Sequence, residues 1–296
     1  FQRVARGSKN LRPEESTNIS LGIIYEPKNI NNLVFTIEWW EIEKEDTIGL
    51  FGEDNILLSD LVLRMETNNI SDCSLVQSSP YVFRDSLEEN EIQEYLQAGI
   101  CPAGRVSRVE EQYRNLDTRI ISGFDFSARY LVNSDYGNFN FIVNISKLEK
   151  FRQKAGNDFI ELIDAQEKGI IPEELAITGF SDLIEKDGSP KIQANFKFLW
   201  NRGSWGLGLF GRHIGEFYET RNKLSDGRLW KVKAYNTINT FIDYNFKISG
   251  SQSNLRFGIN NIADERAPLA SDIFGYYIDK HDNLGRSYYI NFIHRY

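Results

Sequence analysis

The sequence predicts an all-β chain that forms part of a transmembrane, antiparallel, up-and-down β-barrel. Three observations predict it: apolar and polar residues alternate along nine segments, tight and long connections alternate between them, and aromatic residues gather at segment ends. Period two places successive side chains on opposite faces of a strand, so each segment has one apolar and one wet face. In chain order the segments lie near residues 16–26, 33–46, 124–130, 139–145, 191–200, 204–217, 237–246, 254–262 and 286–296. In the fifth, Ile192, Ala194, Phe196, Phe198 and Trp200 oppose Lys191, Gln193, Asn195 and Lys197. Phe124, Phe126, Ala128 and Tyr130 oppose Asp125, Ser127 and Arg129, and Phe139, Phe141, Val143 and Ile145 oppose Asn138, Asn140, Asn144 and Ser146. Ile238, Thr240, Ile242, Tyr244 and Phe246 oppose Thr237, Asn239, Asp243 and Asn245.

A soluble β-sandwich gives the same alternation with its apolar faces turned inward. The connections distinguish the two. Short turns fall at Pro27–Asn32, Asn133–Tyr136, Asn201–Gly203 and Ser249–Ser253, and long excursions at about 47–104, 152–188, 218–234 and 263–285. Outer-membrane barrels have this asymmetry, with short periplasmic turns and longer extracellular loops. Strands of about ten tilted residues also match the hydrocarbon thickness. Trp39, Trp40, Trp200, Trp205, Phe217 and Tyr218 stand where interfacial aromatic girdles are expected.

Composition narrows the function classes. The 296 residues include 39 aromatics, the sum of 5 Trp, 14 Tyr and 20 Phe. A net charge of −8 gives no basic footprint for nucleic acid. No apolar run is long enough for a membrane helix, so any crossing is by strands. Nine strands are an odd number, and bacterial barrels close with an even one. The chain therefore reads as a fragment, with more strands expected before Phe1.

The long loops carry their own signals. Cys73 and Cys101 share the longest excursion and read as a disulfide in an envelope protein, with two free buried thiols as the alternative. Ser86–Glu89 has capping-box spacing ahead of Ile92, Tyr95 and Leu96. Leu57, Leu58, Leu61, Val62 and Met65, and Phe159, Ile160 and Ile163 after Asn157–Asp158, follow helical spacing. Three short helices are expected to pack these loops.

The chemistry-bearing motifs are sparse. GLGLFG at 206–211 has the letters of a dinucleotide fingerprint, but it sits inside an alternating strand with no following helix. Small residues on a barrel interior explain it better. His213, His281 and His294 are scattered, and Asp279, Asp282, Asn283 and Gly285 lack EF-hand spacing, so they read as a polar turn. No metal, cofactor or catalytic set is expected. Arg129, Asn144, Lys197, Arg212 and Asp243 are expected to face the interior. Of these, Arg212 and Asp243, with the loop aromatics Trp230, Tyr276 and Tyr277, are the candidate solute contacts.

Four stretches carry a family resemblance. They are RGSKNLRPEESTNISLGIIYEPKNINNLVFTIEWWEIEKEDTIG (6–49), YRNLDTRIISGFDFSARY (113–130), LRFGINNIADERAP (255–268) and GRSYYINFIHRY (285–296). Together they resemble the C-terminal barrel part of the TonB-dependent outer-membrane transporters, over residues 1–296. The closing two are the most specific: a Gly-x-Asn-Asn-hydrophobic strand, then a last strand ending on an aromatic residue. The resemblance implies a plugged barrel of about 22 strands, of which these are the last nine. It implies active import of a scarce extracellular solute, driven by the TonB complex. Plug and N-terminal strands of the same receptor, outer-membrane lipid and the barrel-assembly machinery are the implied partners. That machinery would read the outward residues Tyr288, Ile290, Phe292 and Tyr296; His294 departs from the apolar pattern. A passive porin, a surface adhesin and a soluble β-sandwich binding module are the alternatives.

Overall fold

The computed structural model describes residues 1–272 and 274–295. Among them, nine long strands run in order through a ten-stranded main sheet: β1 (Glu15–Tyr25), β2 (Leu33–Glu45), β3 (Arg119–Ser134), β4 (Gly137–Gln153), β5 (Ile192–Arg202), β6 (Trp205–Ile214), β7 (Tyr235–Ile248), β8 (Ser251–Asn260) and β9 (Ser287–His294), and the two-residue strand Ser181–Asp182 pairs with the end of β4. Each long strand is hydrogen-bonded to the next in chain order, and β4 to β9 run antiparallel throughout. Two of the tight turns are tighter than the sequence suggested, while residues 26–32 join the first two strands. Arg202 pairs directly with Trp205 and Ile248 with Ser251, leaving two-residue hairpins. At the second, Ser249 and Gly250 both have positive φ, 48° and 86°, the backbone twist that suits a two-residue hairpin.

The chain divides into two units, each described by itself. One comprises Asn18–Ile42, Ile121–Phe151 and Leu183–Tyr296. Its apolar face follows the alternation, with Phe141 and Phe198 in ring contact at 4.9 Å and Phe257 paired with Ile290. This face stays open: Ile242 is 43% and Ile290 73% exposed. A continuous band of such residues is far larger than a soluble surface carries, and it fits lipid. At the tight-turn end, the Trp200 indole donates to the Tyr136 carbonyl at 2.9 Å, and Trp205 meets Tyr244 in a tilted contact at 4.7 Å. These rings are placed as a girdle residue should be.

Three girdle assignments fail. Trp40 lies over Gly123, on the face of Asp125 rather than that of Phe124. The sixth strand stops at Ile214, and Phe217–Lys223 leaves to pair with Leu229–Val232 in a separate ribbon. Phe217 is therefore fully buried among loop residues, and Tyr218 bonds Glu185 through its backbone. Local alternation continues through Phe217, but the loop offers that ring a dry site which lipid contact does not improve.

The other unit comprises Phe1–Thr17, Glu43–Ile120 and Arg152–Asp182. Helices α1 (Glu53–Glu66), α2 (Glu89–Gln97) and α3 (Asn157–Glu167) fall where helical spacing placed them. The capping box lies two residues later than expected. Glu88 is the N-cap, its backbone N–H bonded to the Glu91 carboxylate at 3.0 Å. Ile56 and Leu58 of α1 and Phe159, Leu162 and Ala165 of α3 meet Phe51, Val82, Val109 and Ile171 in a closed core. Burying a Leu or Phe of that kind contributes about 1.5–3 kcal/mol. Val106–Gln112, unassigned from the sequence, pairs parallel with Gln2–Arg6 and antiparallel with Val82–Arg84. Buried Asp60 is matched by Arg84 at 2.6 Å and by the Ser79 N–H at 2.7 Å. A Cys73–Cys101 disulfide ties the stretch after α1 to the stretch after α2.

Candidate functional site

The polar face of the main sheet is built from the positions that alternate with the apolar band. Its side chains satisfy one another across strands. Asn144 donates to Asn195 at 2.9 Å, Asn138 to Asn201 at 3.0 Å and Ser146 to Asp125 at 2.6 Å. The two amide pairs are uncharged, and the hydroxyl of Ser146 caps the Asp125 carboxylate, so the surface stays wet with little fixed charge. Between β3 and β6 they line a groove of about 510 Å³, with Asp125, Ser127, Asn144, Gln193, Asn195 and Arg212 on its walls. A second recess of about 300 Å³ lies on the other side of Arg212, lined by Thr237, Asn239, Asn260 and Ser287. Arg212 is exposed and makes no side-chain hydrogen bond or ion pair among the described residues. It is a guanidinium with its donors open, set between two hydrated cavities.

Asp243 is different. Arg256 holds it at 2.6 Å, and the same guanidinium lies 3.7 Å above the Phe241 ring. The two candidates are also apart, since Arg212 pairs with Thr237 and Asp243 with Gly206. Six residues of β7 separate those positions, roughly 20 Å at strand rise. Phe210 joins Phe241 at 5.9 Å, giving the wet face an aromatic island. The GLGLFG glycines explain themselves here. A β-carbon on Gly208 would overlap the Phe241 ring and one on Gly206 the Asp243 carboxylate. Gly211 faces the opposite way, beneath Phe196 of the apolar face, and so is not an interior glycine.

The loop aromatics belong to a packed cluster. Tyr277 meets Phe217 edge-on at 4.9 Å, and its hydroxyl bonds Glu219. Burial first, then the charges of Glu219, Asp187 and Asp272, push its phenol up from the ordinary value. Buried Glu219 also accepts from the Ser271 N–H and hydroxyl, both at 2.9 Å. The Trp230 indole donates to Leu269 at 3.0 Å, while Tyr276 stands half-buried beside Tyr277. His281, 4% exposed, stacks on Phe217 at 6.0 Å and meets Tyr235 at 5.2 Å, and neither ring nitrogen has a hydrogen-bond partner among the described residues. Burial lowers its pKa to about 4, helped by the charges of Arg212 and Lys280. Asp282 and Asn283 serve the turn: the Asp282 carboxylate accepts the Leu284 N–H at 2.9 Å, and the Asn283 side chain accepts the Ala267 N–H at 3.3 Å.

The structure thus leaves Arg212 open, engages Asp243, and uses Trp230 and Tyr277 to hold loops together. Arg129 is exposed on the polar face and Lys197 half-buried there. Of the last strand, Tyr288, Ile290 and Phe292 point outward as expected, and His294 shares a bond with Ser253 at 2.9 Å that accounts for a polar group in that row. Tyr296 lies outside the described residues. Phe241, Phe210 and Arg256 went unrecognised in the sequence. Parity could have found them, since they share the face of Asn239, Asp243 and Asn254.

An open antiparallel sheet with one lipid-like face, one wet face and folded loops defines an outer-membrane β-barrel. Residues 1–262 match the family model described as TonB dependent receptor-like, beta-barrel, and the chain belongs to that family. It is similar in fold to the siderophore receptor PirA from Acinetobacter baumannii, at 17% identity and a TM-score of 0.53 over 97% of this chain. A mutant of the ferric enterobactin receptor PfeA from Pseudomonas aeruginosa, in complex with enterobactin, is similar at 15% identity with a TM-score of 0.54, again over 97% of this chain. The chain spans 32% of the length of each. No curated protein matches it in sequence.

Proposed function

We propose that this chain is the C-terminal barrel part of an active outer-membrane transporter. It would bind a scarce extracellular solute and import it to the periplasm with energy from the TonB complex. Residues 1–296 supply barrel wall and extracellular loops, and the same receptor's N-terminal strands and plug supply the rest. The observation that carries this reading is the polar face of the main sheet, wetted by amide pairs and open at Arg212, opposite a face fit for lipid. Arg212 is the residue most free to meet a solute's acceptor groups. Asp243 acts there through Arg256, and Trp230, Tyr276 and Tyr277 shape the loops around the path. The solved neighbours named as siderophore and ferric enterobactin receptors make an iron chelate the first cargo to try.

The test is uptake by cells carrying the full-length receptor. Labelled ferric siderophores, cobalamin, oligosaccharides and peptides are offered with and without a protonophore. Accumulation of one label that is lost on deletion of the gene and on collapse of the proton gradient supports the proposal. Gene-dependent entry that ignores the gradient would mean a passive porin. A full-length protein that stays in buffer without detergent would mean a soluble module.

A further inference from the structure

We propose that the unit comprising Phe1–Thr17, Glu43–Ile120 and Arg152–Asp182 holds a binding pocket for a small amphipathic monocarboxylate, an organic anion with an apolar body. The pocket has about 540 Å³, within the range that takes small ligands, and it forms where the start of β3, the end of β4 and the returning Phe180–Ser181 segment meet. Ile120, Ala155 and Phe180 give it apolar wall, and Arg152, Lys154 and Glu43 are its charged groups.

The walls are fixed by bonds that no ligand needs to make. Gln153, 1% exposed, accepts from the Arg119 guanidinium at 2.9 Å and donates to the Asp117 carbonyl at 2.6 Å. The Lys154 N–H bonds Thr118 at 2.9 Å, and Ser181 pairs with Gln153 across a short antiparallel bridge. Phe180 is held from behind by Phe159 of the core, ring centroids 5.1 Å apart. Ser181 at the pocket keeps a φ of 67°, a conformation that persists where its surroundings enforce it. A cavity held this way loses little freedom on binding, which favours affinity.

Its charge selects the ligand. Arg152 is exposed and makes no side-chain hydrogen bond or ion pair among the described residues. Among the described residues Lys154 has only Asp117, at 3.6 Å, and its side chain is 71% exposed. Against these two cations stands the carboxylate of Glu43, so the wall carries one positive charge in excess, within a chain of net charge −8. A single carboxylate matches that excess and can accept two parallel N–H bonds from one fork of the open guanidinium. The hydroxyls of Thr118 and Ser181 add donors along the wall. Cations meet repulsion, and neutral apolar molecules leave the guanidinium without a new partner.

The pocket is independent of the transport reading, and its test is binding alone. Full-length receptor in detergent is titrated with 2-naphthoate, followed by its fluorescence, beside the neutral isostere 2-naphthamide. Saturable binding of naphthoate is expected, with naphthamide at least tenfold weaker. Arg152→Gln should weaken naphthoate about tenfold and leave naphthamide unchanged, Arg152→Lys should recover part of the loss, and Phe180→Ala should weaken both ligands. Lys168→Gln, a surface cation of the same unit outside the pocket, should change neither. Equal binding of acid and amide, an Arg152→Gln protein that binds naphthoate as well as the parent, or no saturable binding at all would overturn the proposal.

Discussion

Acidification should loosen the loop that carries His281. The ring is buried between Phe217 and Tyr235 with both nitrogens unpartnered, and burial lowers its pKa to about 4 from the usual 6.5. Between those values the unfolded loop binds the proton and the folded loop does not. Stability is therefore fully present above pH 6.5 and falls as the pH drops toward 4. The difference of about 2.5 pKa units corresponds to roughly 3 kcal/mol once the pH is below both values, and about 2 kcal/mol of that is lost by pH 5. The assay is hydrogen exchange of the peptide covering residues 274–282 in the detergent-solubilised receptor, corrected for the intrinsic pH dependence of exchange. Local protection should drop between pH 7 and 5. His281→Phe keeps a flat ring against Phe217 and should remove most of that pH dependence. A His281 that titrates near 6.5 in the folded receptor, or a variant with the parent's pH slope, refutes the reasoning.

Two further outcomes follow from the packing. Replacing both Cys73 and Cys101 by Ser releases a loop with a sequence separation of 28, worth about 3.5 kcal/mol in the chain-entropy model. Limited proteolysis should then cut within that loop at protease levels that leave the parent whole, and equal resistance would show that the helical core alone holds it. Gly208→Val places a side chain into the Phe241 ring and should cost about 1–3 kcal/mol as overpacking, read as a lower midpoint for the heat-induced mobility shift on gels. Adding Phe241→Ala should recover part of the loss, whereas Gly7→Ala, with open space around it, should leave the midpoint where it was.

The sequence by itself determined the nine long strands of the main sheet, their two faces and the alternation of tight and long connections. These rest on period two and on turn residues, which act within a few positions of each other. It also determined the three loop helices, because apolar residues at helical spacing must bury one stripe wherever the chain carries them. Only the tertiary structure decided which members of each pattern do what. Trp40 and Phe217 continue the aromatic rhythm of strand ends, yet Trp40 turns over Gly123 and Phe217 goes into the loop cluster, since each finds a neighbour there that is distant in sequence. Arg212 and Asp243 look equivalent as charged residues on one face, and only cross-strand register gives Asp243 a partner in Arg256 and leaves Arg212 open. The pocket beside Arg152 draws on residues 43, 118, 120, 152–155 and 180–181, none of which forms a motif. Periodicity reports which side of a strand a residue takes. What it meets there is set by register and by loops folding back, and those are properties of contacts between remote parts of the chain.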